Sequence, residues 1–267
     1  MRKLSSVFAF VAAFTIAAVP CFAGIHYQAV SKGEGAGAQV SNMQVEGWVS
    51  GPKARVEFKD SGNPVMKEGT YILTKDGGKT MYLVDPKEKT YVEWDLQGMA
   101  GMLGGITQGM GPLLKFQVSN PKVEKLAEED GGTVAGQPTR HYRYRTSYAM
   151  TVKVFGMGNT QNIVTEQEIW ATDKLSDVGL RAWLRSEPPL TGNAELDKLM
   201  KAEIGKVNGF PLKTVTVNTS TPQKGGKPTV TRTTMEVTQI DTNATVADSR
   251  FEIPAGFQET QIMPVAQ

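Results

Sequence analysis

The chain has 267 residues, with 29 Lys and Arg against 27 Asp and Glu, two His and a single Cys. A net charge this close to zero argues against a nucleic-acid-binding protein, which needs a basic surface to neutralise phosphates. One cysteine excludes an internal disulfide and a zinc site built on several thiolates. A hydrophobic content of 40% with 21% charged residues is typical of a globular protein.

Residues 1–23 have the layout of a cleavable secretory signal peptide. Two basic residues precede an apolar run at 7–19, which is too short to span a bilayer because a spanning helix takes about 20 residues. Small residues before Gly24 predict cleavage after Ala23. We therefore expect a single domain at 24–267 that is exported to the periplasm, with secretion or attachment to the cell envelope as the alternative.

A lipoprotein with a lipidated Cys21 is a second interpretation of the leader. The preceding Ala18, Val19 and Pro20 match poorly the Leu-(Ala/Ser)-(Gly/Ala) run that such a cysteine follows. Cleavage after Ala23 would leave 244 residues with no thiol and 27 charged residues of each sign. A domain of that size can be stable on its hydrophobic core alone. No later stretch of the sequence predicts a transmembrane segment.

Hydrophobic alternation of period two dominates the first half of the domain. It predicts a meander of short antiparallel strands at residues 43–49, 53–59, 70–75, 80–84 and 90–94. Turn-forming Gly, Pro and Asp residues separate these segments.

The longest alternation runs from Arg140 to Phe155 and predicts a strand with one buried and one solvated face. Its apolar face carries Tyr142, Tyr144, Tyr148, Met150, Val152 and Val154. Further strands are predicted at 161–172, 212–221 and 229–240, and a short one at 250–253.

Two segments are predicted to be helical, Ser176–Arg185 and Asn193–Val207. The second has one apolar stripe, made of Leu196, Leu199, Met200 and Ile204. Together with the strands, these segments predict one domain in which a large antiparallel sheet has a few helices against one face.

Two motifs give the chain a resemblance to a known family. They are the turn Asp85-Pro86-x-x-Lys89-Thr90-Tyr91 and the closing Phe251-x-Ile253-Pro254-x-Gly256-Phe257. With them the chain resembles a bacterial family of exported proteins with an uncharacterised domain, whose fold is similar to that of the periplasmic lipoprotein carriers (LolA-like). The resemblance implies a mainly β (α+β) fold: a single large curved antiparallel sheet, an unclosed half-barrel, with a few helices across its concave face.

On such a fold we expect an apolar groove that binds a hydrophobic or lipid-like ligand, or a lipidated partner protein. The apolar residues of the Arg140–Phe155 strand and of the second helix would line it. The segment Leu96–Leu114 would be its lid, because six glycines disfavour a stable helix while Met99, Met102 and Met110 suit varied acyl chains. The alternative for this segment is a loop packed on the sheet without a ligand.

Other sites compete with this hypothesis. Met99, Met102 and Met110 offer soft thioethers that select Cu(I), although neither His is near them in sequence. The Arg140–Arg145 run could present a basic strip to anionic head groups or a partner. Glu166 and Glu168 share one strand face, as paired catalytic carboxylates do, although two such glutamates are usually the solvated side of a strand.

No nucleophile elbow, zinc-protease motif or phosphate-binding loop occurs in the sequence. We therefore expect a protein that is not an enzyme, with no cofactor, no metal and no nucleic-acid partner. The competing hypothesis is a cell-envelope module for protein–protein interaction, in which the chain's own side chains fill the concave face.

Overall fold

A computed structural model describes residues 21–95, 114–175, 194–203 and 206–260. Their twelve strands form one sheet with the spatial order β12-β6-β5-β4-β3-β2-β1-β11-β10-β9-β8-β7. The strands are β1 (Cys21–Gly35), β2 (Met43–Ser50), β3 (Lys53–Ser61), β4 (Tyr71–Thr74), β5 (Thr80–Asp85), β6 (Thr90–Asp95), β7 (Leu114–Val134), β8 (Gln137–Val154), β9 (Met157–Thr172), β10 (Phe210–Pro222), β11 (Thr229–Ala247) and β12 (Gln258–Glu259). The other elements are the helix α1 (Ala194–Glu203) and the 3-10 turns Ala38–Ser41, Asp173–Leu175 and Asp248–Phe251.

The predicted fold class, mainly β with one large, curved and unclosed antiparallel sheet, is confirmed. Every neighbouring pair is antiparallel except β12 with β6, which is parallel. The described residues contain one α-helix where a few were expected. The predicted helix at Ser176–Arg185 lies outside them.

The two halves of the sheet meet at β1. This strand pairs with β2 on one side and with β11 on the other, so the first described strand is bonded to the last long one. Ala23 and Gly24 lie within β1, opposite Thr245 and Ala244. Cleavage between them would shorten β1 by three residues and leave its pairing from Gly24 onward.

Strand alternation and the pairing register divide the sheet into two faces. The concave face carries Tyr27, Ala29, Val56 and Val237, which belong to one buried cluster together with Ile25, Val49, Ala54, Leu175, Phe210 and Leu212. Two bulges in the β1–β11 ladder, at Gly24/His26 and Gln28/Ala29, locally increase twist and bending. Val134 and Ala135, from the hairpin of the edge strand β7, pack against the same cluster.

The outer face is also buried over β2 to β6. Phe251, from the turn at Asp248–Phe251, is fully buried there against Trp48 and Tyr71. The guanidinium of Arg250 lies 4.0 Å from the Trp48 ring centroid. The Arg55 side chain donates to the Arg250 carbonyl at 3.1 Å. The C-terminal segment therefore covers this half of the outer face and holds it to the sheet.

Three parts of the fold differ from the sequence prediction. The central strand β1 (Cys21–Gly35) was not among the predicted strands. The predicted strand at 250–253 is wrong, because the chain forms a 3-10 turn there that directs Phe251 into the outer core. The edge strand β7 was not predicted, because bulges after Ser119, Lys125 and Asp130 interrupt its alternation of apolar residues.

The contact between Tyr27 and Gly47 gives a test of the concave core. These residues are paired across β1 and β2, and a Cβ on Gly47 would lie 2.3 Å from the Tyr27 ring. We expect Gly47→Ala to lower the free energy of unfolding by about 1–3 kcal/mol, as overpacking does. Urea denaturation measures the loss. In a Tyr27→Leu background the same Gly47→Ala change should cost clearly less, and an equal cost in both backgrounds would contradict the contact.

Candidate ligand-binding site on the concave face

Helix α1 lies over the far half of the concave face, where it packs against β7. Glu195 and Asp197 in its first turn and Lys201 in its last turn are favourable to the helix dipole, whereas Glu203 at its C-terminus is not and is instead held by other partners. Leu199 is buried, while Leu196 and Met200 are half-buried. The apolar stripe predicted for this helix therefore does face the protein, at least through Leu199.

The first two tyrosines of β8 are packed inside the protein. Tyr142 and Tyr144 are 6% and 5% exposed and stack with their ring centroids 6.5 Å apart. They form a cluster with Ile169 and Ala171 of β9, against which Val207 packs. The Tyr144 hydroxyl donates to the carbonyl of Lys206. This part of the predicted groove is filled by the chain itself.

A polar network joins the end of α1 to the sheet. The Lys206 ammonium donates to the carboxylate of Glu203 and to the side-chain oxygen of Gln167, and it lies 5.3 Å from the Tyr144 ring centroid. The Thr146 hydroxyl donates to the other oxygen of Glu203 at 2.6 Å. The Lys206 side chain is only 8% exposed, and these partners compensate for the water that its ammonium group loses on burial.

Beyond this network the concave face of β8 opens towards solvent. Tyr148 and Met150 are half-buried, and Val152 and Val154 are 38% and 44% exposed. Burial, and to a lesser degree the carboxylate of Glu203, raise the pKa of Tyr148, so its hydroxyl stays protonated and can donate a hydrogen bond at neutral pH. The strip therefore combines apolar surface with one neutral polar group.

The neighbouring strands add uncharged polar groups to this open part. Met150 is paired with Gln161 of β9, whose side chain accepts a hydrogen bond from Ser220 of β10. Asn218 donates to the Thr165 hydroxyl at 3.3 Å. An apolar strip beside neutral hydroxyls and amides suits a ligand with an apolar body and a polar, uncharged part.

The predicted site residues thus fall into three groups. Tyr142, Tyr144 and Leu199 are buried core residues. A second group is half-buried or exposed: Tyr148, Met150, Val152 and Val154 on the same face of β8, and Leu196 and Met200 on α1. Ile204 and the predicted lid residues Met99, Met102 and Met110 lie outside the described residues, and the lid and Cu(I) hypotheses with them.

Sequence reasoning missed the network of Thr146, Gln167, Glu203 and Lys206. One signal was available, because alternation along β8 places Thr146 on the tyrosine face between Tyr144 and Tyr148. A lone hydroxyl on an apolar face indicates a polar partner above it. The spacing of Glu203 and Lys206 at the end of a helix did not by itself distinguish a buried pair from a solvated one.

In the predicted basic strip, His141 and Arg145 lie on the outer face, whereas Arg140 lies on the face of Tyr142, two residues further along β8. All three side chains are paired with carboxylates. Arg140 and Arg145 bond to Glu128 and Glu166 at 2.9 and 2.6 Å. His141 lies between Glu129 and Glu168, at 3.2 and 3.1 Å, and stacks on Trp170. Glu166 and Glu168 are thus both occupied in ion pairs or hydrogen bonds on the outer face.

Two kinds of feature are absent from the described residues, a metal-binding cluster and a membrane-spanning helix. No group of three or more His, Cys, Asp or Glu in that part of the chain is arranged to hold a metal ion. Within the same ranges, no helix combines the length and apolarity needed to cross a membrane.

The fold and this site define a class: one-sheet β proteins whose concave face is partly covered by a helix. A family model described as a domain of unknown function (DUF4412) matches residues 38–257, and the chain belongs to that family. The predicted membership in a family with an uncharacterised domain is confirmed. No curated protein matches the chain. Among solved structures it is similar to a LolA superfamily protein from Nitrosomonas europaea, with 9% identity over 86% of this chain and 90% of that chain and a TM-score of 0.30.

The Lys206 network allows a test of how the helix is held. Glu203→Gln removes the charge that balances a nearly buried ammonium, so we expect it to lower the free energy of unfolding by about 2 kcal/mol. The double variant Glu203→Gln/Lys206→Met removes both charges and should recover at least half of that loss. Thermal and urea denaturation at neutral pH measure both. A double variant that is less stable than Glu203→Gln would show that the ammonium has other essential partners.

Proposed function

We propose that the protein is an exported, non-enzymatic protein that holds a hydrophobic or lipid-like ligand, or the acyl chain of a lipidated partner, on its concave face. The observation that carries the proposal is the gradient along β8. Its concave face passes from the buried Tyr142 and Tyr144 to the half-buried Tyr148 and Met150 and then to exposed valines. A face filled only for stability would have no reason to continue as an apolar strip into solvent.

Binding would rest on apolar burial, at about 25 cal/mol per Å² of buried surface less the cost of ordering the ligand. The half-buried strip has no charge on β8 between Thr146 and Lys153, so an uncharged chain meets no desolvation penalty there. Tyr148 and the amide of Gln161 would orient the polar part of the ligand.

The second candidate is an envelope module for protein–protein interaction. It is favoured by the tyrosine cluster, since Tyr142, Tyr144 and Val207 fill the covered part of the concave face. The two functions differ in what a purified sample contains. A ligand-binding protein carries or accepts small apolar molecules, whereas an interaction module does neither.

A charge placed on the strip tests the ligand proposal. We expect Met150→Lys to reduce ligand occupancy about tenfold or more, because a buried Met side chain contributes about 1.5–3 kcal/mol. The measurement is native mass spectrometry, with lipid extraction, of protein exported by its own host. Ala149→Lys is the matched control, since Ala149 is also half-buried but lies on the outer face of the same strand.

Wild-type protein that emerges empty and shows no mass shift with fatty acids, phospholipids or acylated peptides would overturn the ligand proposal. Equal losses in Met150→Lys and Ala149→Lys would also contradict it, because the effect would then come from the strand and not from its concave face.

Export is a separate part of the proposal. We expect the exported protein to begin at Gly24, because residues 1–23 have the form of a cleavable leader and the β1–β11 ladder continues from Gly24. Intact-mass measurement of protein from the periplasmic fraction determines the N-terminus. A chain that keeps Met1, or one that begins at a lipidated Cys21, would contradict this expectation.

A further inference from the structure

Exposed large apolar side chains collect at one end of the sheet, where β8 turns into β9 and β10 into β11. At the β8–β9 turn, Phe155 is 67% and Met157 is 77% exposed, next to Val154 at 44%. We call Val154, Phe155 and Met157 the β8–β9 tip. The other large exposed apolar residues of the described chain are Val40, Val65, Leu126, Val152 and Val230, and all except Leu126 lie near this end.

The conformation of the tip makes the choice of Phe notable. Phe155 and Gly156 have φ angles of +52° and +78°, a two-residue hairpin turn for which Asn-Gly or Asp-Gly is favoured. Ala135 and Gly136 form a turn of the same kind at the other end of β8, with φ of +47° and +77°. There the apolar residue is small and packs on the core. Phe155 instead exposes a bulky ring to solvent from a backbone position that is strained for such a residue.

Charge is segregated along the same strands. The parts of β7 to β11 at this end, residues 114–123, 146–165 and 216–231, contain five Lys and no Asp or Glu. The remaining parts of these strands carry the carboxylates, among them Glu128, Glu129, Glu166, Glu168 and Glu236. The backbone hydrogen bonds that pair these strands do not require lysines and carboxylates to be separated in this way.

Three of the five lysines surround the tip. Lys153 is exposed on β8, and Lys224 and Lys227 are exposed in the turn between β10 and β11. This turn lies beside β9, because the Gln223 amide donates to the Thr160 carbonyl at 2.8 Å. On the β7 to β11 side, this end of the sheet thus presents exposed apolar side chains between three lysines, and the nearest carboxylate on the neighbouring strand β1, Glu34, is paired in register with Arg232.

We propose that this end of the sheet docks onto an anionic lipid bilayer. Phe155 and Met157 insert at the level of the head groups, and Lys153, Lys224 and Lys227 contact the phosphates. Apolar side chains flanked by lysines fit that surface, since shallow insertion and attraction to anionic lipid act together. The proposal goes beyond ligand binding and does not depend on it, because Phe155, Met157 and these lysines lie outside the apolar strip of β8, with which the tip shares only Val154.

The test is cosedimentation of the exported protein with vesicles of phosphatidylglycerol and phosphatidylcholine at low ionic strength. Wild type should bind. Phe155→Asn should reduce the partition coefficient about tenfold, because the variant has no aromatic ring whose transfer from water into the bilayer favours binding. Asn suits the left-handed turn position, so the variant should be at least as stable as wild type. Replacing Lys224 and Lys227 by Gln should lower binding about fivefold per lysine.

Leu126→Thr is the matched control for loss of an exposed apolar side chain, because Leu126 is 49% exposed on β7 away from the tip. It should bind vesicles as wild type does, and binding of wild type should weaken with added salt and on pure phosphatidylcholine. Since all variants keep the same N-terminus, a difference between them arises from the substituted residue.

Three results would overturn the proposal. The first is wild type that fails to bind anionic vesicles, the second is Phe155→Asn that binds them as wild type does, and the third is Leu126→Thr that loses as much vesicle binding as Phe155→Asn. Light scattering that shows wild-type dimers and Phe155→Asn monomers, without vesicle binding, would assign the tip to self-association. Ligand occupancy by native mass spectrometry should be equal in wild type and Phe155→Asn, so failure of docking and failure of ligand binding are distinguishable.

Discussion

The backbone ladder between β1 and β11 is the interaction on which the rest of the structure depends. It joins residues from Cys21–Gly35 to residues from Thr229–Ala247, so segments about 200 positions apart in sequence are paired in the middle of the sheet. On one side of it lies the meander β2 to β6, and on the other the long hairpins β7 to β10. Contacts of such sequence separation carry a large loop-closure cost and slow folding. The two halves of the sheet cannot be joined through this ladder until β11 has been synthesised.

The two sides of this ladder have different roles. Over β2 to β6 both faces are covered, the concave one by the cluster around Tyr27 and the outer one by the C-terminal segment with Phe251. That half has the properties of a scaffold. Over β7 to β10 the outer face is a solvated ladder of ion pairs and hydrogen bonds, many of them exposed and individually weak. The half-buried strip and the β8–β9 tip both lie on these strands, where apolar side chains are left uncovered by the core of the protein.

Much of the fold could be predicted from local pattern. Regular alternation located β2 to β6 and β8 to β11 because each strand has one face that differs in polarity from the other. The edge strand β7 escaped this reasoning because its bulges shift the alternation three times, and Pro121 is tolerated only because it lies at an edge and in a bulge. The strand prediction for residues 250–253 was wrong for another reason. Its apolar residues alternate as in a strand, but tertiary packing of Phe251 against Trp48 and Tyr71 decides its conformation.

The sequence predicted which strand and which helix form the candidate site, but not how far each of its side chains is buried. Alternation assigned Tyr142 to Val154 to one face, yet it could not show which of these residues the chain covers with its own side chains. The burial of these residues depends on where Lys206 and Val207 lie after α1, and tertiary packing, not local sequence pattern, determines those positions. The same limit applied to Lys206, whose burial follows from the positions of Glu203, Gln167 and Tyr144 in space.

The near-zero net charge argued against a nucleic-acid-binding protein, but it does not describe how the charges are distributed over the surface. A balance of 29 basic and 27 acidic residues describes the whole chain and is silent about their distribution. In β7 to β11 most carboxylates lie in one part of the strands, and Lys153, Lys224 and Lys227 lie in the other. At physiological ionic strength, charges interact over about 8 Å, so a bilayer or partner at one end of the sheet senses the local set and not the total. Because the open strip on β8 leads towards that same end, an apolar ligand would enter and leave where the protein's surface is best suited to meet a lipid phase.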